Sequence, residues 1–120
     1  MSRADVGHRG EDMAADYLSE AGMVLLARNW RPHGMAVRGE LDIVARDGSV
    51  LVACEVKTRR GVTHGTPAEA VTARKVAQLR RLLTCWRIAH GVTAPLRVDV
   101  VSIALAPGMP PRLDHLPGVG

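Results

Sequence analysis

The feature that most constrains the fold is a pair of alternating apolar and polar runs that flank Asp47-Gly48. The runs are residues 40–46 (ELDIVAR) and residues 49–58 (SVLVACEVKT), and an Asp-Gly pair between such runs indicates a two-residue hairpin turn. If this turn pairs Arg46 with Ser49, facing residues share one side of the sheet. A three-residue turn would change that register by one position. With the two-residue turn, one face is apolar and the other collects four charged side chains, which are Glu40, Asp42, Glu55 and Lys57.

A helical pattern precedes this hairpin. Apolar residues recur at helical spacing over residues 5–21, and Gly22 suits the C-terminal cap. Gly7 and Gly10 lie on the same stripe, where glycine costs roughly 1 kcal/mol against alanine, so we expect close backbone packing there. Residues 23–30 (MVLLARNW) predict a short strand between this helix and the hairpin.

A second helix and a strand follow the hairpin. Residues 66–69 (TPAE) have capping-box spacing and predict the start of a helix, kinked near Thr72, that ends at Gly91. Residues 96–105 (LRVDVVSIAL) have few enough polar side chains to form a central or parallel strand. This order predicts an α/β domain with a mixed central β-sheet flanked by helices. The apolar stripe of the second helix consists of Val76, Leu79, Leu82, Leu83 and Trp86.

The composition indicates one globular domain. Of the 120 residues, 47% are hydrophobic and 23% are charged, which argues against disordered, collagen-like and coiled-coil proteins. We expect one domain over residues 1–105 and a Pro/Gly-rich tail over residues 106–120 that lies on the surface or is partly disordered. With no apolar run long enough to span a bilayer and no signal-peptide pattern, we expect a cytoplasmic location. Cys54 and Cys85 lie in separate apolar runs and are expected to be reduced core residues.

Acidic and basic side chains are segregated along the chain. Residues 1–58 hold seven basic and nine acidic side chains, whereas residues 59–120 hold nine basic and three acidic ones. A basic segment of this kind suits a surface that faces phosphates, and equally a solvated arginine-rich face. The chain has only three aromatic residues, which argues against a base-stacking platform.

The charged face of the hairpin is the strongest candidate for chemistry. Carboxylates crowded together resist ionisation unless a positive charge lies among them, and hard oxygen ligands suit Mg²⁺ or Mn²⁺. Such a metal would neutralise a phosphate and activate water, with Lys57 close by. The alternative is a solvent-facing edge hairpin on which Lys57 pairs with Asp42 or Glu40. Two helical residues favour the metal site: Glu11 lies near the edge of the first apolar stripe, and Lys75 lies within the second.

These residues together resemble the PD-(D/E)xK nuclease superfamily, whose restriction-endonuclease-like fold includes archaeal Holliday-junction resolvases. That superfamily has an acid in the first helix, an Asp opening a hairpin and Glu-x-Lys on the next strand. The match is closer to the small bacterial YraN-type family, an uncharacterised group predicted to be nucleases. The matching segments span nearly the whole domain: GHRGEDMAADYL (7–18), ARNWR (27–31), GELDIVARDG (39–48), CEVKTR (54–59), Lys75 with the leucines after it, and LRVDVVSI (96–103).

The resemblance implies roles for the central residues. Asp42 and Glu55 would be metal ligands, with the backbone carbonyl of Val56 as a third. Lys57 would position or activate the attacking water. Glu11 would assist the metal directly or through water.

Two further residues and the tail are less closely tied to the family pattern. Glu40 follows the pattern GE(I/L)D and would either ligate the metal or brace Arg38 or Lys57. Lys75 would either contact the scissile phosphate or lay its stem along apolar surface. The tail departs from the family, in which a His is often followed by Asn-Ala and an aromatic residue, whereas here residues 113–116 (LDHL) run into Pro-Gly.

We therefore expect a Mg²⁺- or Mn²⁺-dependent nuclease of restriction-endonuclease-like fold that acts on DNA rather than RNA. A chain this short has little surface left for reading bases, so selection by nucleic-acid structure is expected, and a homodimer would serve two strands. The alternatives are a non-catalytic nucleic-acid-binding module or partner protein in DNA uptake or repair, and a scaffold that docks an acidic partner. The expected phosphate contacts are Arg59, Arg60, Arg74, Lys75, Arg80, Arg81 and Arg87.

Overall fold

A five-stranded mixed sheet lies between two helices in the computed structural model, which describes residues 2–61 and 71–120. The strands follow one another across the sheet in chain order; β3 and β4 are parallel, and the other neighbours are antiparallel. The mixed α/β architecture predicted from the sequence is confirmed. The elements are α1 (Arg3–Glu20), β1 (Val24–Trp30), β2 (Leu41–Asp47), β3 (Val50–Arg60), α2 (Ala73–Ala89), β4 (Leu96–Leu105) and β5 (Arg112–Leu116).

Helix α1 begins two residues earlier than predicted because Ser2 caps it. The Ser2 side chain accepts a hydrogen bond from the Asp5 backbone N–H, and the Asp5 carboxylate accepts one from the Ser2 backbone in return. At the other end Gly22 has a φ of +97°, as predicted for a residue that ends a helix. The close packing expected at Gly10 is also present, since a Cβ there would overlap the Thr58 hydroxyl. The same expectation is wrong for Gly7, where a Cβ would meet nothing within 4 Å.

The hairpin loop lies one residue further along the chain than predicted. Its loop is Gly48-Ser49 and Asp47 faces Val50, so the predicted pairing of Arg46 with Ser49 is wrong. Gly48 has a φ of +59° at the first loop position, which side-chain-bearing residues rarely adopt. Because the partner of every β2 residue moves by two positions, the alternation between the two faces is kept. Leu41 is an exception, since it packs with Val44 and Ala53 on the α2 side instead of with Ile43.

Both faces of the central strands are covered. Ile43, Cys54 and Val101 pack with Leu18 of α1 on one side. On the other side, apolar residues of β2, β3 and β4 pack with the predicted stripe of α2; the buried members are Leu41, Val44, Leu51, Ala53, Val76, Leu79, Leu82, Leu83, Trp86 and Val98. The solvent-facing edge hairpin considered above is therefore wrong, since β3 is the central strand of the sheet.

Helix α2 begins at Ala73, with Thr72 as its N-terminal cap. Thr72 has an extended backbone and its hydroxyl accepts a hydrogen bond from the Lys75 N–H, so the helix does not continue through Thr72 as a kink. The capping box predicted at residues 66–69 lies outside the described residues. Among the helices of the described ranges, none is long and apolar enough to cross a membrane.

The tail forms β5, a strand that the sequence patterns do not predict. It pairs with the outer edge of β4, and the chain beyond it returns to the core, where the Gly118 N–H donates to the Asp99 carboxylate. Asp99 is fully buried and also accepts hydrogen bonds from Arg97 and His115. Burial alone would raise the pKa of Asp99, but these hydrogen bonds outweigh it and lower the pKa. His115 also bonds the Tyr17 hydroxyl at 3.0 Å, which ties the tail to α1.

Candidate functional site

The site lies where β2 and β3 separate. Their described pairing ends at Ile43 opposite Cys54, and one step further Asp42 comes level with Glu55. There the Asp42 side chain takes the place of the β2 backbone, accepting a 2.8 Å hydrogen bond from the Val56 N–H. Beside this separation lies a cavity of about 560 Å³ whose lining includes six of the predicted site residues: Glu11, Asp42, Glu55, Val56, Lys57 and Arg60.

Two carboxylates of this cavity are close enough to interact strongly. The pKa of Asp42 is raised from 3.8 to about 7, first by burial and then by hydrogen bonding to Glu55 and the negative charge of that residue. Glu55 is only 6% exposed. The register found in the structure explains this proximity, because the predicted register would have placed Ala53 opposite Asp42.

The cation nearest these acids comes from α2. Lys75 Nζ lies 3.4 Å from Glu55 Oε2, so the ammonium group reaches an acid of the site. The contact lacks hydrogen-bond geometry, and Glu55 Oε2 has no hydrogen-bond partner in the described part of the chain. Lys57 lines the same cavity and is half-buried. Within the described residues, Glu55 Oε2 is thus ion-paired with Lys75 but accepts no hydrogen bond.

Glu11 enters the cavity from α1 and is held by residues of β1. Burial and the charge of Asp42 raise the pKa of Glu11. With its side-chain nitrogen turned toward the acids, Asn29 donates to Glu40 Oε1 at 2.9 Å and to Glu11 Oε2 at 3.3 Å. Asn29 has a φ of 52°, a left-handed conformation that asparagine tolerates better than most residues. The sequence reasoning missed this bridge, since a lone Asn in a strand carries no spacing signal.

Glu40 lies beside this bridge and has a different basic partner from the one predicted. Arg31 binds its Oε2 through both Nε and Nη2, at 2.9 and 2.8 Å. The expectation that Glu40 braces Arg38 or Lys57 is therefore wrong. Arg31 follows β1 directly and Glu40 comes directly before β2, so the segment between the two strands returns to its own start. Nothing in the local sequence pattern indicates that return.

The residues fit a divalent cation held by few protein ligands. Within residues 2–61 and 71–120, no group of three or more His, Cys, Asp or Glu side chains is placed to hold a metal ion. Asp42 and Glu55 supply two carboxylates, and one or two are enough for Mg²⁺, which keeps several waters. The Val56 N–H points to the gap that β2 leaves, and the N–H and C=O of a strand residue point to the same edge. The Val56 carbonyl therefore faces the site.

The predicted phosphate contacts are distributed over several surfaces. Arg60 lines the cavity and donates to the Ser2 carbonyl at 3.4 Å, and Arg59 is half-buried. Arg87 donates to the Ala94 carbonyl at 2.7 Å, which gives it a structural role at the end of α2. The exposed arginines of α2 are Arg74, Arg80 and Arg81.

Comparison with known proteins places the chain in a family. The model of an uncharacterised protein family, UPF0102, matches residues 10–103. A UPF0102 protein of Kineococcus radiotolerans is 51% identical over 95% of this chain and 92% of its own length. Those of Acidothermus cellulolyticus and Streptomyces coelicolor are 44% and 47% identical, each over 98% of this chain and at least 90% of their own length. The YraN-type resemblance is confirmed, and the chain belongs to the UPF0102 family.

Proposed function

We propose that this protein is a Mg²⁺- or Mn²⁺-dependent nuclease of the PD-(D/E)xK type, with a restriction-endonuclease-like core, that cuts DNA in the cytoplasm. The observation that carries the proposal is the meeting of Glu11, Asp42, Glu55 and Lys57 in one cavity, with a buried carboxylate oxygen left without a hydrogen bond. Buried polar atoms are normally hydrogen-bonded, so a buried carboxylate oxygen without a hydrogen bond in this cavity supports a ligand bound there. Neighbouring acids in a cleft whose negative charges repel each other and raise a pKa are typical of functional sites.

The metal would be held by Asp42 and Glu55, with the Val56 carbonyl as a third oxygen. When bound, it would neutralise the scissile phosphate and make water a better nucleophile. The Val56 N–H fixes one Asp42 oxygen. Lys75 offsets the charge of Glu55 from the α2 side without saturating it. The two ligands are thereby oriented by the sheet and helix, which limits their movement during the reaction.

Lys57 and Glu11 act on the water and the phosphate in this proposal. The Lys57 ammonium orients the attacking water and stabilises negative charge that develops on the phosphate oxygens. Glu11, fixed by the Asn29 amide, accepts a hydrogen bond from a water bound at the site. Attack on phosphorus breaks one P–O ester bond and yields a phosphomonoester and a hydroxyl group. Arg60 beside the cavity and the exposed arginines of α2 supply affinity without reading sequence.

Two observations favour a second candidate, a non-catalytic nucleic-acid-binding module. No cluster of three metal-ligating side chains is present in the described residues, and Lys75 already offsets part of the negative charge of Glu55. A module of this kind would bind nucleic acid in a salt-dependent manner and gain no stability from Mn²⁺.

Cleavage of an end-labelled panel tests the proposal. The substrates are single-stranded DNA, duplex DNA, a flap, a fork, a four-way junction and an RNA, each with Mg²⁺, Mn²⁺ or EDTA. We expect the wild type to cut at least one DNA structure in a metal-dependent manner and Lys57→Ala to lose about 100-fold or more in rate. Arg46→Ala, an exposed change near the hairpin loop, is the matched control and keeps full activity. Equal cutting by the wild type and Lys57→Ala would indicate a contaminant and contradict the proposal.

A further inference from the structure

A second cavity adjoins the proposed metal site. It measures about 670 Å³, and Val6 and Arg60 line both cavities, so the two lie side by side. Its remaining walls come from Arg9 of α1, from Gly61 after β3, and from residues 105–111, the segment that leaves β4. The proposed cleavage mechanism uses none of these walls except Arg60.

The lining of the second cavity has a different character from that of the first. Its two charged residues are arginines, Arg9 and Arg60, and none of the described residues that line it is acidic. The first cavity contains three carboxylates. The other large side chains of the second cavity are apolar: Val6, Leu105, Pro107, Met109 and Pro111. This lining suits a ligand with an apolar body and a negative charge.

We propose that this cavity is a subsite for one unpaired nucleotide of the strand whose phosphate lies at Asp42 and Glu55. The inference rests on the proposed function and names its substrate class, namely DNA with an unpaired nucleotide next to the scissile bond. The guanidinium groups of Arg9 and Arg60 face the sugar-phosphate chain, and the apolar wall receives the flat surface of the base. In this proposal the strand passes from one cavity to the other beside Val6 and Arg60, which line both.

The dimensions and the chemistry favour a nucleotide over other occupants. The volume lies within the roughly 300–1,000 Å³ typical of cavities that hold small organic ligands, and a nucleotide is of that class. A base inside a duplex would first have to be unpaired and unstacked, which costs free energy that an unpaired base does not spend. Met109 is 67% exposed at this cavity, and its flexible, polarisable thioether can pack on any of the four bases. The subsite therefore selects by strand structure without selecting by sequence.

Binding measured without turnover tests the subsite. Fluorescence anisotropy in Ca²⁺ would compare a single-stranded oligonucleotide with a fully paired duplex, for the wild type and for Met109→Glu. We expect the variant to bind the single strand about tenfold more weakly, which is the effect of losing one base contact, and to bind the duplex as the wild type does. Met109→Ala should have a smaller effect in the same direction. Arg112→Ala, an exposed change on β5 outside the cavity, is the control and should change neither affinity.

Two outcomes separate this inference from the proposed function. Unchanged single-strand affinity in Met109→Glu, or an equal loss for the duplex, would overturn the subsite even if the wild type cuts DNA. A selective loss for the single strand supports the subsite even if no cleavage is detected, since binding in Ca²⁺ needs no turnover. Because Met109 is exposed, its substitutions should leave the melting temperature within about 2 °C of the wild type, which confirms that the variants are folded.

Discussion

Replacing Asp42 by asparagine should stabilise the metal-free protein at alkaline pH. Asparagine keeps an oxygen that can accept the hydrogen bond from the Val56 N–H, and it removes the charge. The pKa of Asp42 is about 7 in the folded protein against an ordinary value of 3.8, so folding favours the protonated form. The folded state then holds more protons than the unfolded state between about pH 4 and pH 7, and wild-type stability falls as the pH rises through that range.

The size of the effect follows from the same pKa. Each unit of difference corresponds to about 1.4 kcal/mol, so ionised Asp42 destabilises the metal-free fold by at most about 4 kcal/mol above pH 7. Asp42 is half-buried and solvent screens part of its charge, so we expect about 1–2 kcal/mol. For a domain of this size the melting temperature of Asp42→Asn should exceed that of the wild type by roughly 4–8 °C at pH 8. At pH 4 the two proteins should melt together.

Thermal melts followed by circular dichroism at pH 4 and pH 8 in EDTA provide the assay, and a second set contains MnCl₂. Mn²⁺ at 100 times its Kd should stabilise the wild type by about 2.7 kcal/mol and should leave Asp42→Asn unchanged. Asp16→Asn, an exposed change on α1, is the control for removing one negative charge. The reasoning is refuted if Asp42→Asn is less stable than the wild type at pH 8, or if its advantage is the same at both pH values.

Three further predictions concern packing, positioning and the tail. Gly10→Ala should destabilise the protein by about 1–3 kcal/mol in denaturant melts, because the added Cβ overlaps the Thr58 hydroxyl. In Gly7→Ala the added Cβ meets nothing within 4 Å, so this variant should be as stable as the wild type or more stable. Equal effects of the two substitutions would contradict this packing. Asn29→Gly keeps the left-handed backbone but loses the side-chain amide that bridges Glu11 and Glu40. In calorimetry, Mn²⁺ should therefore bind at least about threefold more weakly, while the melting temperature stays unchanged. Unchanged Mn²⁺ affinity would count against the bridge. Asp99→Asn should lower the free energy of unfolding by about 3 kcal/mol at pH 7. Because the pKa of Asp99 is lowered in the folded protein, this loss of stability should shrink as the pH falls below about 4. A loss that stays constant in urea melts across this pH range would argue against the ionised network.

Local signals predicted most of the fold. The Asp47-Gly48 turn and the alternation on both sides of it predicted the hairpin, and helical spacing predicted the buried stripe of α2. The exact register was not predictable, because Asp-Gly and Gly-Ser both suit a two-residue loop and the two registers keep the same alternation between the faces of the sheet. Strand β5 was missed for a related reason: its five residues lie among prolines and glycines and depend on pairing with β4.

The candidate site was predictable in its residues but not in its contacts. The order of Glu11, Asp42, Glu55 and Lys57 along the chain was enough to select them, and the structure places them in one cavity. The partners that orient them come from distant parts of the chain, as the Lys75 contact to Glu55 shows. Such contacts depend on how α2 lies on the sheet, and a single sequence does not contain that geometry.

The central claim is that Asp42 and Glu55 hold a divalent metal, and anomalous scattering from crystals grown with Mn²⁺ tests it most directly. We predict a peak about 2.1–2.2 Å from a carboxylate oxygen of each residue and from the Val56 carbonyl, and no peak there in crystals of Asp42→Asn. Crystals in which Mn²⁺ occupies only other surface acids, with Lys75 still paired to Glu55, would contradict the metal site and with it the proposed nuclease mechanism.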